Sequence, residues 1–471
     1  MIRSKPAAAS CLALLLAACA GPQIEKPAPL PAPPAGWSTG TGISAEAPRL
    51  DWWTELGEPE LDRLVELALR NNADLRAASA NLKAARALVR EARAAKLPVG
   101  SVDASVSRSR TAGASLQLDT VGGPEVLPSQ TLIDGGVSLN WELDLAGRLA
   151  ATADAAVARG EQEAWVRRGV EASVAASVVR AWADLAESDE RLVLLAERRS
   201  LLADIAARLG QARNIGGIRQ DDLVEAERAL GALDGERLAL ELARRNALRR
   251  LATLTGTPAP DGVRNFANLK TRALPAPQFV RAGNPERILR LRPDVAAAEQ
   301  ELLQALARIK IAQADLYPRL SLFGSAGVSA VPGRLTDEGA LRFGIGPMLS
   351  WGLFDMDRIR ARIRAEGASA EAAGARWEAS FMKALEETDA ALDLFDAARR
   401  TAAMARDDLA LATRLAELAG TRHRAGQDSY LKAAMRRDAR LVAANQTLRA
   451  ETAALSAWID VQTALGAGWR N

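Results

Sequence analysis

His423 is the single imidazole in a chain of 471 residues, and Cys11 and Cys19 are its only thiols. One histidine cannot supply a His-pair zinc site, a metalloprotease motif or a phosphorelay pair, and any triad would depend on that one ring. No motif brings a nucleophile, a base and an orienting group together, so no enzyme and no metal or organic cofactor site is expected. Nucleic acid fits no better. The 61 basic and 58 acidic side chains leave a formal charge of +3, and no basic stripe is interleaved with aromatics.

The covalent chemistry that the residues do suggest lies at the amino terminus. Arg3 and Lys5 precede the apolar run from Cys11 to Ala18, which has the charged start and short apolar core of a secretory signal and is too short to span a membrane. Leu16-Ala17-Ala18-Cys19 resembles the bacterial lipobox. That resemblance implies a lipoprotein signal peptide over 1–18 and a lipid, such as palmitate, on Cys19 as the sole attached group. Cys11 would leave with the leader, so the mature chain would carry neither a free thiol nor a disulfide. Ala20 stands where lipoproteins retained in the inner membrane commonly carry Asp, which implies outer-membrane delivery. Residues 19–50 read as a linker, with prolines at 22, 27, 29, 31, 33 and 34 favouring an extended spacer.

Behind this address stand the elements that must position any site. The composition is 48% hydrophobic and only 4% aromatic, which favours closely packed, Ala-rich helices in an elongated protein over a thick globule. No proline occurs between Pro128 and Pro258 or after Pro347, so both stretches can hold unbroken helices. Gly216 and Gly217 interrupt the first and Gly426 the second, the pattern of a helical hairpin used twice. The halves match closely. Asp74 to Pro98 and Asp294 to Pro318 are both 24 residues, and Trp141 to Arg148 answers Trp351 to Arg358 at a shift of 210. A tandem repeat follows, over 51–270 and 271–471, each half holding a helix, two strands and a long helical hairpin. Within the long stretches, apolar residues step by seven, as in Val178, Leu185 and Leu192, then Leu195, Leu202 and Leu209, then Leu233, Leu240, Ala247 and Leu254. That period predicts coiled-coil packing.

Between short and long helices the period changes to two. Val102, Ala104 and Val106 alternate with Ser101, Asp103 and Ser105, and Val137 to Leu143 alternates likewise; Leu320 to Val328 and Leu341 to Leu353 repeat the scheme. Four such strands suit a membrane barrel with lipid outside and water inside. They cannot close one alone, because open edges are forbidden in lipid, so the strands must be shared among subunits. Trp141 and Trp351, near the strand ends, suit either the lipid interface or core packing.

These landmarks resemble the TolC/OprM-type outer-membrane efflux proteins, most closely the NodT-like lipoprotein branch. The sharpest are Arg290 to Glu299 followed by Leu316-Tyr317-Pro318. Asp51-Trp52-Trp53, Trp141 through Arg148, Ser429-Tyr430-Leu431 and Leu465 to Trp469 accompany them. The resemblance implies a homotrimer in which four strands per chain form a 12-stranded β-barrel, continuous with a periplasmic α-helical coiled-coil barrel. It also implies a periplasmic adaptor of the membrane-fusion type, an inner-membrane pump of the RND type, and a passive duct exporting drugs or other small toxic molecules. Other readings are a duct for ATP-driven protein secretion and a lipid-anchored coiled-coil spacer without a pore.

In this family the hairpin turns close the periplasmic mouth and meet the adaptor. By position, that role falls to Gly216, Gly217, Arg219, Asp221 and Asp222 in the first tip and His423, Gly426 and Asp428 in the second. Rings of charge at such a constriction would select ions. The competing reading is of solvated turn and cap residues, with Asp222 and Asp428 suited to N-caps. The second tip departs from the family pattern: Lys432 to Asp438 reads Lys-Ala-Ala-Met-Arg-Arg-Asp where many relatives carry an acidic residue in a Leu-Asp-Ala-Gln-Arg-like run, so the resemblance carries neither an aspartate gate at Met435 nor a cation preference over to this tip.

Overall fold

The computed structural model describes residues 31–38, 42–110, 129–214 and 220–469. The leader, Cys19, Gly216, Gly217 and Arg219 lie outside the described residues. The first half of the chain runs β1 (Ile43–Ser44), α1 (Pro59–Asn71), α2 (Ala73–Ala94), β2 (Val99–Ser109), β3 (Gln130–Leu143), α3 (Arg148–Asn214), α4 (Gln220–Leu254) and α5 (Ala259–Asn265). The second runs β4 (Val280–Arg281), α6 (Pro285–Leu291), α7 (Pro293–Ala314), β5 (Arg319–Ala330), β6 (Leu341–Ser350), α8 (Met356–Arg424) and α9 (Tyr430–Ala464). The same order of short strand, short helices, paired strands and long hairpin therefore appears twice.

Contacts divide the chain into two units, one formed by Lys83–Glu161 with Glu299–Ala375 and the other by the remaining described residues. The first holds a four-stranded antiparallel sheet in the order β2-β3-β5-β6, so β2 and β6 are its open edges. Its small core gathers Ala312 of α7 and Leu316 of the turn that follows it with Met356, Ile359 and Ile363 of α8.

The second unit is built on helix seams. In α1, Pro59 opens the first turn with Glu60 and Asp62 beside it, a proline and acids placed as a helix amino terminus favours. Leu61, Leu64, Val65 and Ala68 then fall on one buried face at helical spacing. The heptad rows find their partners: Leu195, Leu233 and Leu240 form a buried cluster flanked by Leu192 and Leu202, which seals α3 against α4. Buried Trp52, Trp182 and Trp458 anchor the main core, with Trp52 and Trp458 edge to face at 5.3 Å.

The repeat is visible at its joints. Asn72 Nδ2 donates to the Leu254 carbonyl at the end of α4 (3.3 Å), and Arg292 Nη1 donates to the Ala464 carbonyl at the end of α9 (3.0 Å). Gly256 and Gly466 follow those helices with φ of +74° and +72°. A Cβ on Gly256 would lie 2.8 Å from the Asn71 carbonyl oxygen, and one on Gly466 would lie 2.8 Å from that of Leu291. Glycine is therefore demanded twice, by left-handed backbone and by close approach. Arg292 also clasps Asp294 and Glu387, both at 2.6 Å. Burial alone would raise the Asp294 carboxyl, but the hydrogen bond and charge of Arg292 outweigh it and hold it below its ordinary range.

The linker expected through residue 50 is already docked well before that point. Trp37 Nε1 donates to the Gly283 carbonyl at 3.1 Å, and the Ser38 backbone and hydroxyl both donate to Asp389. β1 then pairs in parallel with β4, Ile43 opposite Val280. The proline pattern carries no information about these partners, which lie more than 200 residues away.

Candidate functional site

The sheet has two chemically distinct faces because its register aligns the alternation of all four strands. Val102, Val137, Ala326 and Phe343 lie directly across from one another, as do Gly100, Leu139, Gly324 and Ile345. On the opposite face the corresponding row is Ser101, Ser138, Ser325 and Gly344. The apolar face is bare: Val102 is 81% exposed, Phe343 82% and Ile345 79%. A sheet with one apolar exposed face, one polar face and two open edges fits a barrel wall completed by further copies in a membrane. No described helix is both long and apolar enough to cross a membrane.

The two tryptophans at the strand ends act as lashes. Trp141 Nε1 donates to the Lys96 carbonyl at 3.0 Å, and Trp351 Nε1 donates to the Leu316 carbonyl at 3.1 Å. Each ties the end of an outgoing strand to the turn through which a short helix delivers the preceding strand. Arg148 reinforces the first junction through two bonds to Glu142, at 3.0 and 2.6 Å. Asp144 accepts from the backbone N–H groups of Leu149 and Ala150 and thereby caps the start of α3.

The second tip is defined by the turn between α8 and α9. Gly426, with φ of +73°, donates to the His423 carbonyl and Gln427 donates to the Arg422 carbonyl, which closes α8 in a Schellman motif. Ser429 caps α9 by accepting from the Lys432 backbone N–H at 3.3 Å. The N-cap is thus Ser429 and not Asp428, whose carboxylate instead pairs with Lys432 Nζ at 2.8 Å. The Asp428 carbonyl accepts from His423 Nδ1 at 3.1 Å. In the first tip, Asp221 and Asp222 fall within the opening turn of α4 and not at its cap, and Asp221 is exposed.

What joins the two hairpins at this end is a cluster that sequence reasoning did not single out. The Tyr430 hydroxyl donates to the Asp204 carboxylate, the Arg208 guanidinium lies 3.9 Å over the Tyr430 ring, and Arg208 Nε donates to Asp204 Oδ2 at 3.1 Å. His423 completes it, edge-on to Tyr430 at 5.7 Å. The Asp204 carboxyl is held below its ordinary value by the Tyr430 hydroxyl and then by Arg208, and the Tyr430 phenol is raised by burial and then by Asp204. Behind this cluster the ties between α3 and α9 continue as an antiparallel ladder: Arg198 to Asp438 at 2.7 Å, Glu197 to Arg440 at 2.8 Å, Arg191 to Asn445 at 2.9 Å, and Arg180 to Asp460. Within the basic run Lys432 is paired with Asp428, and Met435 is 62% exposed.

Residues 64–257 and 284–467 match the profile of the family described as "Outer membrane efflux protein". The chain is 29% identical over 469 residues to the pyoverdine export outer membrane protein OpmQ of Pseudomonas putida, covering 98% of this chain and 96% of that one. It is 29% identical to the outer membrane protein OprJ of Pseudomonas aeruginosa, with 97% and 95% covered. Its fold superposes on the solved outer-membrane channel OprN with a TM-score of 0.82 and 28% identity, covering 96% of this chain and 99% of the other.

Proposed function

The chain belongs to the outer membrane efflux protein family, and from that premise we propose how its two sites work. It is the outer-membrane channel of a tripartite efflux system. Three copies, in this proposal, each give their four strands to one barrel, with β6 of one copy paired to β2 of the next, so that each open edge is satisfied in lipid. The observation that carries this reading is the two-faced sheet, whose apolar rows cross all four strands in register while both edges stay open.

The cargo is proposed to be drugs or other small toxic molecules, passed through without chemistry by the channel itself. Export of a small molecule, pyoverdine, is what the similar OpmQ is named for. An RND-type pump and a membrane-fusion adaptor supply energy and continuity, and the adaptor meets the two hairpin tips, including Asp221, Asp222, His423, Gly426 and Asp428. Gly216, Gly217 and Arg219 are assigned to the same surface by their place in the sequence. Cys19 carries the lipid that tethers each copy.

Within the second unit, the Tyr430–Asp204–Arg208 cluster is proposed as the latch that keeps the second hairpin against the first. Deleting the gene is expected to raise intracellular dye and drug retention, and restoring it to return retention to the starting level. Unchanged retention across a broad panel would overturn the cargo assignment. Photocrosslinking from Gln427 is expected to capture a periplasmic adaptor; efficient crosslinking elsewhere in the trimer with none here would overturn tip docking.

A further inference from the structure

The polar face of the sheet carries its charge unevenly. Near the strand ends that meet the helices, Glu142 is bound to Arg148 and Arg319 to Asp315. The next stretch holds Ser101, Ser138, Asn140 and Ser325, all neutral. Farther along, one row crosses all four strands: Asp103, Gly136, Gly327 and Arg342.

The two glycines in that row are fixed by the backbone. A Cβ on Gly327 would lie 2.7 Å from Gly136 Cα, and one on Gly136 would lie 2.9 Å from the Ala326 carbonyl oxygen. With no side chain on Gly327, Arg342 on β6 passes over β5 and pairs with Asp134 on β3. Asp103, at the other edge of the sheet, accepts from the Ser101 hydroxyl at 2.8 Å, and no basic side chain among the described residues is paired with it. The Arg342 side chain is 57% exposed, and an ion pair so open to water contributes little to stability. Its effect is on the field above the sheet.

We propose that Asp103, Asp134 and Arg342 form a charge collar on the lumenal face of the barrel that favours cationic over anionic solutes. Arg342 cancels Asp134, and Asp103 supplies the net negative charge. The inference rests on the reading that the polar face lines a water-filled lumen. Three copies repeat the collar at one level, where low-dielectric walls concentrate the field. Selection by charge is then set in the barrel wall, while the tip carries basic residues.

The test places a reporter thiol beside the collar, with Ser325→Cys in the full-length trimer in outer membranes. It compares rates of labelling by a trimethylammonium-ethyl and by a sulfonato-ethyl methanethiosulfonate, with the chain lacking the substitution as blank. Reagents entering from outside reach this level whether or not the tip is closed. D103N is expected to lower the cation-to-anion rate ratio about threefold or more, and R342Q to raise it by a similar factor. A ratio unchanged in D103N overturns the collar. Should R342Q fail to assemble, D103N, which breaks no ion pair, decides alone. A reporter that reacts with neither reagent in an assembled trimer shows a dry face and overturns the lumenal reading together with the collar.

Discussion

The Tyr430 hydroxyl donates to the Asp204 carboxylate and so joins the first turn of α9 to the far part of α3 through side chains alone. Arg208 holds the same carboxylate and covers the same ring. Tyr430→Phe removes the hydroxyl and keeps the ring, so the stacking on Arg208 survives while the tie to Asp204 is lost. The open probability of single channels in planar bilayers is expected to rise severalfold in Tyr430→Phe, with thermal stability of the trimer unchanged. An equal or lower open probability would remove Tyr430 from the gate.

The latch should not respond to ordinary changes of pH. Asp204 is held below the usual carboxylate value of 3.8, so its contribution is complete above that value and is lost only as pH falls through the lowered one. Tyr430 is raised above 10.0, so its contribution is complete below that value and fades as pH rises through the raised one. Open probability set by this cluster is therefore expected to be flat from about pH 5 to about pH 9. A step within that range in bilayer recordings would show that this cluster does not set the open probability.

Gly256 and Gly466 occupy equivalent joints and should be equally intolerant. Alanine at either site meets a left-handed backbone and a carbonyl oxygen 2.8 Å away. Each substitution is expected to cost about 1–3 kcal/mol, read as a lowered midpoint of thermal unfolding by circular dichroism. A site that accepted Ala without loss would show that the joint relaxes.

Gly327→Ala should act on the barrel and spare the helical unit. Its added carbon would press on the Gly136 backbone of β3, displacing the register that aligns the apolar rows. The expected outcome is loss of the heat-modifiable trimer band on gels, with helical ellipticity retained. A normal trimer band would mean that β3 and β5 separate at no cost.

Much of this architecture is written locally. The alternation of Val102, Ala104 and Val106 and the seven-residue steps from Leu195 to Leu202 and from Leu233 to Leu240 declare strand and coiled coil, because burial acts on neighbours a few residues apart. The caps were less legible. Asp428 and Ser429 are adjacent and both suited to an N-cap; the choice of Ser429 follows from Gly426, which ends α8 so that Asp428 turns back toward Lys432 and His423. Asp204 and Arg208 could not be singled out, since an acid and a base four residues apart on a helix are an ordinary surface pair. Only the fold reveals Tyr430 as their third member. Trp141 and Trp351 suited two environments equally, and the hydrogen bonds to Lys96 and Leu316 show that each indole N–H holds a junction.

The ladder between α3 and α9 also fixes an order of events during biogenesis. Its rungs join residues 226, 240, 243, 254 and 280 positions apart, so each must wait for the carboxyl-terminal helix to arrive. Until then α3 can hold its seam with α4, its place in the core with Trp52 and Leu61 and its bond to Thr271, but the face awaiting α9 stands open in a compartment without ATP-driven chaperones. Contacts so distant in sequence form slowly. Stop codons anywhere before Tyr430 would leave every rung on α3 without its mate, and such truncated chains would meet periplasmic proteases as half-zipped hairpins.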